Sequence, residues 1–166
     1  MSLDHKAYQF DWNAFSASLL PLLQNALTND NADALRGFIQ ANLNHCSSPH
    51  DGEPLDSGWE TQLTAHDIQE LADFALTRHY DPAGNHGLGG AWQSTAAHLP
   101  EAAQAALLGN ALPGFDPGRQ GAYFQTPDEV IRSIHQLAQQ SHPATDSFRA
   151  LLRAARQSGH GIYVTF

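Results

Sequence analysis

The side chains best suited to chemistry lie in one glycine-rich stretch, Tyr80-Asp81-Pro82-Ala83-Gly84-Asn85-His86-Gly87-Leu88-Gly89-Gly90. Histidine exchanges a proton near neutral pH, and a neighbouring carboxylate can orient its ring. His86, between Asn85 and Gly87, is therefore the candidate acid/base, with Asp81 as its orienting partner. On that reading residues 80–92 serve a small-ligand-binding or hydrolytic enzyme. A plainer reading competes. Tyr80-Asp81-Pro82-Ala83-Gly84 leading to Gly90-Ala91-Trp92 is echoed 35 residues later by Phe115-Asp116-Pro117-Gly118 leading to Gly121-Ala122-Tyr123. Proline presets φ, aspartate bonds downstream backbone, and glycine permits φ > 0, so both copies read as turns. Turn formation by Asp81 and Asp116 explains both copies. Catalysis explains only the one with a histidine.

Other chemistry is weaker. His45, Cys46, His50 and Asp51 have ligand-type side chains, but their spacing matches no zinc pattern, so no metal and no cofactor is expected. Cys46 next to His45 suggests a thiol nucleophile, yet adjacent loop residues need not face each other. His79 falls on a helical apolar stripe and reads as a core residue. Gly87-Leu88-Gly89-Gly90 is neither a phosphate loop nor a dinucleotide fingerprint, since no Lys-Ser/Thr follows and no strand precedes it.

Charge points toward a partner instead. The chain carries 17 acids against 8 bases, with 14 acids and 3 bases in residues 1–118 alone. This excludes the clustered basic surface that nucleic acid and anionic membranes require. Residues 51–81 hold eight acids against Arg78. Asp51, Glu53, Asp56 and Glu60 around Trp59 form the candidate partner-binding loop for a basic protein. The leading expectation is a small acidic protein that binds another protein, as an inhibitor, immunity-type or adaptor module, without catalysis. Arg149, Arg153 and Arg156 mark a basic face near the C-terminus, read as solvated.

Helices must carry these loops. Phe15, Leu19, Leu22, Leu23 and Leu27 form a stripe behind an Asp11 cap, with Pro21 expected to kink or restart the helix. Leu35, Phe38, Ile39 and Leu43 form the second stripe. Ile68, Leu71, Ala72, Ala75, Leu76 and His79 form the third, with Thr64 as its cap. Pro100 opens a fourth helix running to about residue 108. Thr126-Pro127-Asp128-Glu129 is a capping box with proline at the first helical position. Thr145 caps a last helix ending at Gly159 or Gly161. Ile162, Val164 and Phe166 alternate as a half-buried strand, which residues 121–125 can pair.

The expected fold is mostly α: five to six helices in one globular domain, 1–166, with a small two-stranded β element around 121–125 and 162–166. Long loops are expected at 44–63 and 80–98, and residues 1–10 read as a candidate disordered lead. A third possibility gives the C-terminal strand to a neighbour's sheet. Composition favours a bacterial cytoplasm: one cysteine, seven Arg against one Lys, no run of membrane-spanning length, and no secretory leader pattern in the first residues.

Overall fold

Residues Lys6–Phe10 form a strand, β1, antiparallel to the C-terminal strand β3, Gly161–Thr165, with Tyr8 opposite Tyr163. On the other side of β3 runs β2, Ala122–Gln125, also antiparallel, with Phe124 opposite Tyr163. The sheet order is β1-β3-β2. The computed structural model describes residues 3–166. The expected β2–β3 pair is present, while the two-stranded expectation gives way to three strands. The disordered lead is corrected as well: residues 6–10 are a strand, and only residues 1 and 2 lie outside the described part. Such a short strand hides because its residues bury both faces and break the two-residue alternation.

The described residues form seven α-helices, against five to six expected. On one face of the sheet pack α1 (Trp12–Asn29), α2 (Asp33–Ala41) and α3 (Ile68–Leu76), around a core that includes Tyr8, Phe10, Phe124 and Tyr163. On the other face, α6 (Pro127–Leu137) and α7 (Asp146–Ser158) bury Ala7, Ile162 and Val164 with Phe148 and Leu152. The long loop 80–98 contains a short helix, α4 (Trp92–Ala96), followed by α5 (Glu101–Ala106). β3 is therefore not half-buried. Ile162 and Val164 enter one core while Tyr163 enters the other, so the sheet is the middle of three layers.

Local chemistry sets the element ends. Asp11 Oδ1 accepts from Ala14 N–H at 3.1 Å and starts α1. That helix runs through Pro21 without restarting, because the proline and Ala17, whose carbonyl loses its partner, are both solvent-exposed. The Thr126–Glu129 capping box forms in full. Thr64 is not the cap of α3. Asp67 takes that place, and the Glu70 carboxylate instead gathers the N–H groups of Thr64, Ala65 and His66. Loop 44–63 is pinned by buried Cys46, Leu55, Trp59 and Leu63 and includes a 3₁₀ turn at Trp59–Gln62.

Both sheet edges are occupied. Asn110 exchanges backbone hydrogen bonds with Phe124 on the outer side of β2, both at 2.8 Å. Along β1, His86 N–H donates to Ala7 at 2.8 Å, Gly89 N–H donates to His5 at 2.9 Å, and Asn85 Oδ1 accepts from Ala7 N–H at 3.0 Å. β3 is interior, so it has no free edge to offer a neighbouring sheet.

Candidate functional site

The pairing of residues 85–89 with β1 gives their glycines a purpose other than ligand approach. A Cβ on Gly87 would sit 2.0 Å from the His5 carbonyl oxygen, so the loop can dock only with glycine there. His5, fully buried, locks the same junction. Its Nε2 donates to the Leu107 carbonyl at 2.7 Å, while Nδ1 accepts from Leu88 N–H at 3.1 Å. Those partners define a neutral ring, and burial lowers its proton affinity, partly offset by its backbone hydrogen bonds.

With the loop fixed, His86 and Asp81 line one cleft of about 610 Å³. Its other walls come from distant parts of the chain: Gln9 on β1, His160 before β3, and Ala150, Leu151 and Ala154 on α7. His160 is placed by the end of α7. Gly159 adopts φ 68° and donates to Arg156, and His160 N–H reaches back to Ala155 at 2.8 Å, a Schellman closure. Gln9 Nε2 then donates to His160 Nδ1 at 2.7 Å, which holds both polar heads in place.

The expected Asp81–His86 pair is not formed. Asp81 Oδ1 accepts from Ala83 N–H at 2.9 Å, and Gly84 N–H closes onto the Asp81 carbonyl at 2.9 Å, the geometry of a turn. The polar neighbour of the His86 ring is Ser147, whose Oγ lies 3.4 Å from Nδ1. Asp116 plays the matching role in the second copy, accepting from Gly121 N–H at 3.1 Å. Tyr80 backs the cleft, its ring 4.8 Å from Tyr8 and 5.2 Å from Tyr163. Burial keeps its hydroxyl protonated well above the usual range.

His79 also borders the cleft, but its ring belongs to the core, tucked among Phe10, Phe15 and Phe38. Among the described residues neither ring nitrogen has a hydrogen-bond partner, and burial together with the Arg78 charge pulls its pKa down to about 4. Cys46 is buried, which pushes its thiol up to about 11 and removes the nucleophile reading. Among the described residues, no cluster of three or more His, Cys, Asp or Glu side chains is arranged to hold a metal ion.

The candidate partner loop divides. Asp51, Glu53, Asp56 and Glu60 are exposed, but Trp59 is only 2 % exposed and its Nε1 donates to Gln40 at 3.2 Å. Trp59 is thus packed into the core of the loop, while the carboxylates around it face solvent. Asp51 and Asp56 each cap a local turn, and Glu60 lies 3.5 Å from Arg36. Sequence reasoning missed Gln9, Ser147 and His160. Only His160 left a signal, a polar residue between the helix-stopping Gly159 and the terminal strand.

No family model matches the chain, and neither a curated protein nor a solved structure matches it. Among the described residues no helix is long and apolar enough to cross a membrane.

Proposed function

We propose that this chain binds a small polar molecule in the cleft between the 79–86 turn and α7. One observation carries the reading: Gln9, Asp81, His86 and His160, spread across the whole sequence, line a single cleft of about 610 Å³. Ligand sites typically occupy roughly 300–1,000 Å³, with an apolar lining and a few fixed polar groups. Here Ala150, Leu151 and Ala154 supply the apolar wall, and the Gln9–His160 hydrogen bond organises part of the polar set before any ligand arrives. The Asp81 carboxylate favours an uncharged or cationic ligand over an anion. The setting we assign is a bacterial cytoplasm, on composition.

A thermal-shift screen of uncharged and cationic amino-acid derivatives and nucleosides tests this. A true ligand at a hundredfold its Kd stabilises by about 2.7 kcal/mol, a rise of about 5–10 °C at this chain length. His86→Ala and His160→Ala should each abolish most of that shift. A shift that both variants retain would place the ligand elsewhere and overturn the reading.

A second reading rests on the exposed carboxylates of Asp51, Glu53 and Asp56, none of which is ion-paired to Lys or Arg among the described residues. They suit electrostatic steering of a basic protein partner, as for an inhibitor, immunity-type or adaptor module. Capture from native lysate should then yield a basic protein that is released as salt rises. The triple variant D51N/E53Q/D56N should weaken capture at least tenfold. Undiminished capture by that variant would end this reading.

A further inference from the structure

We infer that Ser147 and His86 form a nucleophile–base pair, and that the cleft carries out acyl transfer to water on small uncharged or cationic esters. This rests on the cleft being a ligand site. It adds the chemistry performed there and a residue that neither the motif nor the cleft lining singles out.

The geometry has three parts. Ser147 Oγ stands 3.4 Å from Nδ1 of His86, and both side chains are exposed to solvent. Nucleophile–base contacts are often this loose before substrate closes on them. Next, Ser147 lies three, four and seven residues before Ala150, Leu151 and Ala154, the face of α7 that walls the cleft. The hydroxyl therefore marks the end of the cleft where His86 stands. Finally, Ser147 belongs to the first turn of a 13-residue helix. The positive end of the helix dipole there lowers the cost of negative charge on Oγ and on the carbonyl oxygen it attacks. Asp146, also in that turn, has its charge partly offset by Arg149 at 3.9 Å.

The base is held by its backbone. His86 N–H is bonded to the Ala7 carbonyl, and the next residue is pressed onto β1, so the imidazole projects from a fixed point. In the reaction Oγ attacks the ester carbonyl carbon while its proton passes to Nδ1 of His86. Collapse of the tetrahedral species breaks the bond to the alcohol, which leaves with that proton. Water then attacks the acyl-serine. His86 accepts its proton and returns one to Oγ as the acid departs, so no other co-reactant is needed. Asp81 beside the cleft disfavours substrates bearing carboxylate or phosphate near the scissile bond.

A fluorophosphonate probe tests the pair directly on the full chain, with p-nitrophenyl acetate as the turnover substrate. The expected result is one label per chain, mapped by peptide mass spectrometry to Ser147. Labelling should vanish in Ser147→Ala and fall about a hundredfold or more in His86→Ala, the scale on which a positioned base acts. Ser94→Ala, an exposed serine on α4, should label like wild type. Ser147→Ala should still show the ligand-induced thermal shift of the cleft. Absence of label, label spread over several serines, or equal labelling in Ser147→Ala would overturn the assignment. In each of those cases a shift that still depends on His86 would leave the binding cleft standing.

Discussion

Gly87→Ala is expected to lower the stability of this protein by about 5 kcal/mol and its Tm by about 10–20 °C. The added Cβ would lie 2.0 Å from the His5 oxygen, 2.6 Å from its carbon and 2.7 Å from Lys6 Cα. These are backbone atoms at the start of β1, a strand that β3 holds on its other side from Lys6 onward, so they have little room to give way. The loop must lift instead. Lifting breaks the His5–Gly89 exchange and the bonds His86–Ala7, Asn85–Ala7 and Leu88–His5. Each is worth about 1 kcal/mol net. The same movement removes His86 from the cleft, so ligand-induced stabilisation should disappear with it. Gly37→Ala is the matched control. Its Cβ meets nothing within 4 Å in an exposed part of α2, and alanine there should stabilise by about 0.5–1 kcal/mol. Differential scanning calorimetry of both variants decides the matter. A Gly87→Ala protein melting like wild type would mean the loop does not seal β1.

The second large effect is on acid stability. His79 has a folded pKa of about 4 against an ordinary 6.5, so the unfolded chain takes up its proton first as pH falls. Stability contributed by keeping this ring neutral is complete above about pH 6.5 and is lost progressively toward pH 4. The loss reaches about 3 kcal/mol. His5, whose affinity is lowered by burial, acts in the same sense. Asp73 opposes them. It is half-buried on α3, and desolvation, countered in part by His50 and reinforced by Glu70, pushes its pKa up to about 6 from 3.8. The folded state binds that proton first, so Asp73 adds stability as pH falls through 6. The wild-type curve between pH 6.5 and 4 should therefore be flattened by cancellation.

Single variants separate the two contributions. His79→Leu removes two sealed nitrogens without partners and should be about 1 kcal/mol more stable at pH 7. Its advantage should widen to about 4 kcal/mol near pH 4. Asp73→Asn should show the reverse trend, with an advantage over wild type that shrinks as pH falls. Urea midpoints across this pH range supply the measurement. An advantage of His79→Leu that stays constant with pH would mean the ring titrates normally.

Local rules located most elements. The Asp11 cap, the Thr126–Glu129 capping box, the Gly159 stop and the apolar stripes of α1, α2 and α3 rest on interactions within a few residues, which sequence displays directly. The failures are non-local. β1 leaves no local trace because Ala7, Tyr8 and Phe10 are buried on both of its faces and carry no alternation. Thr64 lost its capping role because Glu70 could satisfy three loop N–H groups at once. Trp59 looked like a docking residue among carboxylates, yet packing on the core with Gln40 as partner decided its place.

The candidate site divides the same way. His86 and Asp81 were legible because a histidine in a glycine-rich turn is conspicuous, and the turn role of Asp81 followed from Asp-Pro-x-Gly alone. Gln9, Ser147 and His160 were not, since nothing in a sequence records that residues 9, 147 and 160 will face residue 86. Sequence by itself determined the turns, the caps and the glycines that let a loop lie flat. Tertiary structure decided what the loop lies against, because docking on β1 depends on backbone pairing over about 80 residues, and long-range pairing leaves no local trace. That docking makes Gly87 an architectural residue and carries His86 to the helix on the far wall of the cleft.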